Sequence, residues 1–266
     1  MEKIGYLGPE GSYSNVAALK MCPSAELYAY PSFPRVMASL TTGHTDGIVL
    51  PIENSINGGV LQNMDLLQSA DGVCAVREAV IKIDHRLATL KGADVKKITR
   101  VYSHPQALEQ CAVYLAENFP FAELIPVRST SAGIACISCD TDAGIVGAHV
   151  VNENLWLSEK NIADEDNNYT HFLLVKRGGV QEKIPTRKIY FSATCLNKSG
   201  ALLALLQSIA SRGLNLTKIE SRPVKNIPDE YRFFIETEGD YSDPNIRLAI
   251  DEIKGSAISF KLLGCY

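Results

Sequence analysis

The sequence predicts an α/β protein in two parts: a larger unit of alternating strands and helices, then a small domain of ferredoxin-like βαββαβ order. Three observations predict it. The first 175 or so residues alternate short apolar runs with amphipathic segments, as a sheet covered by helices requires. The stretch KRGGVQEKIPTRK, 176–188, carries a Gly pair, a Pro and five basic residues, and reads as a linker. Beyond it the periodicity runs strand, helix, strand, strand, helix, strand to the end of the chain. The predicted boundaries are 1–178 for the first unit and 187–266 for the second.

In the first unit, strands are expected over 3–7, 27–30, 47–52, 72–83, 99–102, 122–127, 142–146 and 170–176. These runs are rich in Val, Ile, Leu and Tyr, and most are bounded by Gly, Pro, Asn or Ser. Helices occupy the gaps. The clearest spans 105–118, where Leu108, Cys111, Ala112 and Leu115 recur at helical spacing. In the second unit the strands fall at 188–196, 216–224, 231–238 and 258–263, and the helices at 200–212 and 245–254.

Composition narrows the class of protein. Apolar residues make up 46% and charged residues 21% of the 266, which excludes disordered, collagen-like and disulfide-scaffold chains. Lys and Arg total 26 against 30 Asp and Glu, with no basic stripe, so nucleic acid is not expected as a partner. Gly5, Gly8 and Pro9 interrupt the start before an apolar signal core can form, and no later stretch reaches the ~18 apolar residues of a membrane span. Neither membrane insertion nor export is expected, and a cytoplasmic location follows. Seven Cys, an odd number scattered through the chain, fit reduced thiols.

Four segments have the composition of ligand sites, and each also has a purely structural explanation. GYLGPEGSYSNVAA, 5–18, places a Gly-rich turn between strand and helix, where free N–H groups can receive an anion. Its glycines match neither dinucleotide nor P-loop spacing. VLPIENSINGGV, 49–60, leaves an apolar strand and presents Glu53, Asn54, Ser55 and Asn57, at the kind of strand end where α/β proteins bind ligands. Ser103, His104, Pro105 and Gln106 follow a strand and read equally as a capping box or as a carboxylate-binding helix start. Ser129, Thr130 and Ser131 repeat that feature after the strand ending at Val127. Cys136 and Cys139 form an isolated C-x-x-C and are assigned to packing, because structural zinc needs four ligands. The acidic run 164–168 lacks EF-hand spacing and is expected as a solvated loop. In the following strand Thr170 and Phe172 share one face and His171 takes the other.

Taken together, these segments resemble the prephenate dehydratase family with its C-terminal ACT regulatory domain. The pieces that carry the resemblance are GPEGSYS near the start, PIENS at 51–55, SHPQAL at 103–108 with Gln110 and Cys111, and NNYTHF at 167–172. In the second domain they are SGALL at 199–203 and NLTKIESRP at 215–223. The resemblance implies a catalytic unit of two lobes around a cleft, similar to periplasmic binding proteins. The second lobe would span about 83–163, with hinges near 81–84 and 163–168. It implies loss of CO2 and hydroxide from prephenate to give phenylpyruvate, without metal or redox cofactor.

By matched position, Thr170 would hydrogen-bond the leaving oxygen, and Glu53 is the physical alternative as proton source. Asn54, Ser55, Ser103, Gln106, Gln110 and Asn168 would hold the substrate, as would Ser129 and Thr130 for one carboxylate. Gly200, Ala201, Leu202, Asn215, Leu216, Glu220, Ser221 and Arg222 would bind phenylalanine as a feedback inhibitor. ACT pairing implies a homodimer or homotetramer. One residue departs from the family pattern: His171 stands where Thr-Arg-Phe has its Arg. Turnover of arogenate, decarboxylation alone, and a non-catalytic amino-acid sensor are the competing expectations.

Overall fold

The computed structural model describes residues 1–179, 185–224, 227 and 229–266. The expected linker falls partly on 180–184, outside the described residues. The first lobe contains β1 (Lys3–Leu7), α1 (Tyr13–Met21), β2 (Glu26–Tyr30), α2 (Phe33–Thr41), β3 (Gly47–Asn54), the short β4 (Gly58–Gly59), α3 (Leu61–Ser69) and β5 (Val73–Lys82). The chain then crosses into a second lobe built from β6 (His85–Leu90), a 3₁₀ turn (Val95–Lys97), β7 (Arg100–Ser103), α4 (Pro105–Gln110), α5 (Ala112–Asn118), β8 (Glu123–Pro126), α6 (Thr130–Ile134), β9 (Asp142–Gly147) and β10 (Leu155–Leu157). It returns through β11 (Tyr169–Arg177). The C-terminal part follows as β12 (Lys188–Thr194), α7 (Ala201–Ala210), β13 (Leu216–Pro223), β14 (Tyr231–Glu238), α8 (Pro244–Ser256) and β15 (Ser259–Cys265).

Two sheets organise these elements. The second lobe carries a five-stranded sheet in the order β10-β6-β9-β7-β8. All other strands join one sheet in the order β13-β14-β12-β15-β5-β11-β3-β1-β2, with β4 beside β3. The C-terminal strands therefore continue the first-lobe sheet instead of hanging from a free linker. The junction is a parallel contact between Gly264 of β15 and Ala75 of β5. A Cβ on Gly264 would lie 2.5 Å from the Ala75 Cβ and 2.6 Å from its carbonyl oxygen, so only glycine permits this approach.

Strands β3 and β11 are apolar on both faces because both faces are covered. Leu50, Leu173 and Val175 pack with Val36, Met64 and Tyr190, whereas Val49, Phe172 and Leu174 pack on the other side with Ile4 and Ala17. Tyr190, Phe234 and Leu263 bring the C-terminal sheet onto α3, and its opposite face is covered by α7 and α8 through Leu205, Ile209, Ile250 and Ile253. No helix among the described residues is long and apolar enough to cross a membrane. All seven cysteines are free thiols.

Several expected elements differ. The helix expected over 105–118 is broken at Cys111, whose φ of −119° and ψ of 19° interrupt it. Asp164, expected to be only solvated, accepts the Val113 and Tyr114 N–H groups and so caps α5. Strands β6, β4 and β10 were not expected; β6 begins with His85-Arg86, and its polar start hides the buried Leu87 and Ala88 behind it.

Candidate active site

A cavity of about 250 Å³ lies where the two lobes meet. Its first-lobe wall is the β1–α1 turn, with Gly8, Ser12 and Tyr13, together with Asn54 at the end of β3. The second lobe contributes His85, His104, Gln106, Gln110, Arg128 and Ser129. Asn168 and Thr170 reach it from the return into β11.

A β-bulge sets which side chains face this space. Between β11 and β3 the register passes from Phe172 opposite Pro51 to His171 opposite Glu53, leaving Ile52 as an extra residue. Pro51 has no N–H to give to the ladder, which suits it to an irregular pairing. The extra residue reverses the alternation of β3, so Glu53 joins His171 on one face and Asn54 joins Thr170 on the other.

From Asn54 the hydrogen bonds run in one direction. Its Oδ1 accepts the backbone N–H groups of Ile56 and Asn57 at 3.1 and 3.0 Å, which can only donate. Its Nδ2 therefore donates, to Asn168 Oδ1 at 2.7 Å and Thr170 Oγ1 at 2.9 Å. Asn168 Nδ2 donates in turn to Gln110 Oε1 at 3.0 Å, and the Gln110 and Gln106 amides both donate to Asn57 Oδ1 at 3.0 and 2.8 Å. His85 Nε2 lies 3.0 Å from Gln110 Oε1 and must donate to it, so Nδ1 is the bare nitrogen of a neutral ring. Burial lowers the His85 pKa against the opposing pull of Gln110 and Asp84, and burial also lowers that of His104. Two backbone N–H groups thus fix the orientation of six polar side chains, Asn54, Asn168, Gln110, Asn57, Gln106 and His85.

Thr170 is buried and receives the Asn54 hydrogen bond, so its own proton is free to point elsewhere. The Tyr13 hydroxyl donates to the Asp84 carbonyl at 2.7 Å and accepts its N–H at 3.0 Å, pinning α1 to the crossing between lobes. Burial pushes the Tyr13 hydroxyl above its usual range, so it stays protonated. On the other crossing, Ser55 donates to the Asn167 carbonyl and accepts from the Tyr169 N–H, both at 2.9 Å.

The structure brings Thr170, Asn54, Asn168, Gln106, Gln110 and Ser129 to one cavity and leaves others out. Glu53 is excluded by the bulge: its Oε2 faces the C-terminal sheet and pairs with Lys218 Nζ at 2.9 Å. Ser103 is fully buried and donates to the Ile145 carbonyl at 2.8 Å, and Ser55 is the clip just described. Ser129 caps α6 by accepting the Ala132 N–H, and Thr130 opens that helix, its side chain lying outside the described residues. His171 points away from the cavity, with Nδ1 2.7 Å from Glu78 Oε1. Glu78 also receives Lys188; its carboxyl is lowered by His171 and Lys188 against the opposing effect of burial, the largest single influence. Sequence reasoning missed Tyr13, His85 and Arg128 as wall residues. Tyr13 sits inside the GPEGSYS segment, whereas nothing local to His85 or Arg128 signals a site.

In the C-terminal part, Gly200 adopts φ +81° at the start of α7, a left-handed conformation that glycine accommodates without strain. Ala201 and Leu202 line a cavity of about 170 Å³ with Lys198, Tyr231 and Phe233. Asn215, Leu216, Glu220, Ser221 and Arg222 do not line it. Asn215 Nδ2 donates to Glu238, and Leu216 starts β13. Along β13 the inward side chains are spent on the first lobe: Lys218 on Glu53 and Arg222 on Asp65 at 2.8 Å, with Glu220 beside Gly59. Ser221 lies on the exposed face.

Comparison with known proteins agrees with this architecture. Residues 4–179 match the family description "Prephenate dehydratase". A prephenate dehydratase of Amycolatopsis methanolica is 32% identical over 271 residues, covering 100% of this chain and 88% of that protein. One from Lactococcus lactis subsp. cremoris is 34% identical, covering 99% of this chain and 97% of its own length. The crystal structure of an Arthrobacter aurescens prephenate dehydratase in complex with L-Phe superposes with a TM-score of 0.88 at 28% identity, over 99% of this chain and 89% of that one. On the cleft, the matched span and the full-length relatives alike, the chain belongs to the prephenate dehydratase family.

Proposed function

We propose that the protein converts prephenate to phenylpyruvate and that phenylalanine inhibits it. In this reaction the bond from ring C1 to its carboxylate breaks. The electron pair moves through the diene, and the C4–O bond breaks. One proton joins the departing hydroxide, so the products are CO2, water and an aromatic ring. The chain's task is to orient the substrate and to stabilise charge on the leaving oxygen.

The observation that carries the reading is the array Asn54, Asn168, Thr170 and Gln110 in one cavity, with every amide orientation fixed. Thr170 is favoured over Glu53 as partner of the leaving oxygen, since its proton is uncommitted while Glu53 is paired with Lys218 outside the cavity. A preorganised hydroxyl at such a position contributes roughly 10²- to 10³-fold in rate. Gln106, Gln110 and Ser129 are assigned to holding the substrate. The catalytic domain is assigned to 1–178 and a regulatory domain of ACT type to 187–266, in the cytoplasm.

Phenylalanine is assigned to the cavity at the start of α7. Its second wall would come from another copy of the chain, because β13 is an edge strand with Ile219 and Ser221 outward. A homodimer or homotetramer follows. Purified protein is incubated with prephenate at neutral pH, with and without phenylalanine, and products are identified by mass. Joint loss of CO2 and water, slowed by phenylalanine, is expected; loss of CO2 alone, or no turnover above the spontaneous rate, refutes the reading.

A further inference from the structure

We infer that Arg128 grips the side-chain carboxylate of the substrate, and that the cavity thereby selects the 2-oxo acid over the corresponding 2-amino acid. The inference rests on the dehydratase reading of this cavity. Among the residues that line it there is one cation, Arg128, and no Asp or Glu. Arg128 makes no hydrogen bond or ion pair with any described residue, so among the described residues none of its five N–H donors is committed. The other basic groups in the wall, His85 and His104, are biased toward the neutral form by burial. The family's Arg position, held here by His171, faces Glu78 outside the cavity and adds no charge to it.

Chemistry decides which carboxylate Arg128 takes. The ring carboxylate must leave as neutral CO2, so a cation on it would stabilise the ground state more than the transition state and slow the reaction. The side-chain carboxylate keeps its charge throughout, and binding it is uniform across the reaction. An α-ammonium on that side chain would lie beside a guanidinium, with no carboxylate in the wall to offset its lost hydration. The 2-oxo group carries no such cost.

Phenylpyruvate separates the two carboxylates, because it keeps the side-chain group and lacks the ring one. Its binding to the unaltered protein, Arg128→Lys and Arg128→Gln is measured by calorimetry, alongside kcat and KM on prephenate and on arogenate. Loss of a charge-assisted bidentate contact is expected to weaken phenylpyruvate binding to Arg128→Gln roughly 10- to 100-fold, with Arg128→Lys between. KM on prephenate should rise by a similar factor while kcat stays within about fivefold. Undiminished phenylpyruvate binding by Arg128→Gln overturns the inference, as does kcat/KM on arogenate equal to that on prephenate. Failure of the dehydratase reading shows separately, as an unaltered protein that binds phenylpyruvate but leaves prephenate untouched; the binding comparison then still decides the role of Arg128.

Discussion

Replacing Thr170 by Val removes one hydroxyl from a site where its two roles have different energetic consequences. In the folded protein the hydroxyl accepts from Asn54 Nδ2 at 2.9 Å, yet that same nitrogen also contacts Asn168 Oδ1 at 2.7 Å and the Tyr169 carbonyl at 3.2 Å. Asn54 is therefore not left with an unsatisfied buried donor, and Val is close to isosteric with Thr. The stability cost should be about 1 kcal/mol, the net value of one hydrogen bond. On the proposed role, the hydroxyl faces an oxygen taking on negative charge in the transition state, where a preorganised donor contributes ~3 to 4 kcal/mol, or roughly 10²- to 10³-fold in kcat. Thr170→Ser keeps the donor on a freer rotor and should stay within about tenfold. Phenylpyruvate formation gives kcat and KM, and urea unfolding of the same preparations gives stability. Thr170→Val with kcat within about threefold of the unaltered protein refutes the assignment, and so does a stability loss above ~4 kcal/mol, which would make the role structural.

Other outcomes follow from the same geometry. His171→Arg should leave kcat and KM on prephenate within about threefold, because the side chain meets Glu78 and not the cavity. A large gain in turnover would show that this position governs the site. Burial lowers the folded-state pKa of His85 below its unfolded value, so its contribution to stability is present above about pH 6.5 and is lost as pH falls through the folded pKa. In a urea-unfolding series on the acid side of neutrality, His85→Gln should flatten that part of the stability curve; an unchanged slope refutes a neutral His85. Lys218→Met removes a cation that is 8% exposed from a Glu53 carboxylate that is 39% exposed and can rehydrate. Basal kcat should stay within about threefold, while inhibition by phenylalanine weakens; a dose-response curve identical to the unaltered protein's would show that the contact carries no signal.

Most of the architecture can be read from the chain because the period of apolar residues reports directly on strand and helix. The β-α-β-β-α-β order after residue 187 is such a case, since its strands and helices bury continuous apolar faces. Strand β6 was hidden because it opens on two polar residues, His85, which serves the cavity wall, and Arg86, which pairs with Asp84. The side chains at the end of β3 show a different limit. Simple alternation from Val49 predicts Glu53 and Asn54 on the wrong faces, and only the extra residue at Ile52, a property of pairing with β11, reverses them. Arg128 was unreadable for the same kind of reason. Its relevance comes from the absence of any other charge around a space that six separated segments enclose.

The contacts of β13 act like teeth spaced two residues apart. Lys218, Glu220 and Arg222 lie against Glu53, Gly59 and Asp65 in sequence, so the two segments run past one another in step. A slip of one residue would turn all three side chains outward. A slip of two would keep the face but displace every pair by ~7 Å, too far for any to re-form. The strand has no intermediate position in which some pairs hold and others let go. Whatever moves β13 must therefore carry the hairpin from Glu53 to Gly59 with it or release it entirely, and Asn54, which starts the hydrogen-bond array of the cavity, belongs to that hairpin.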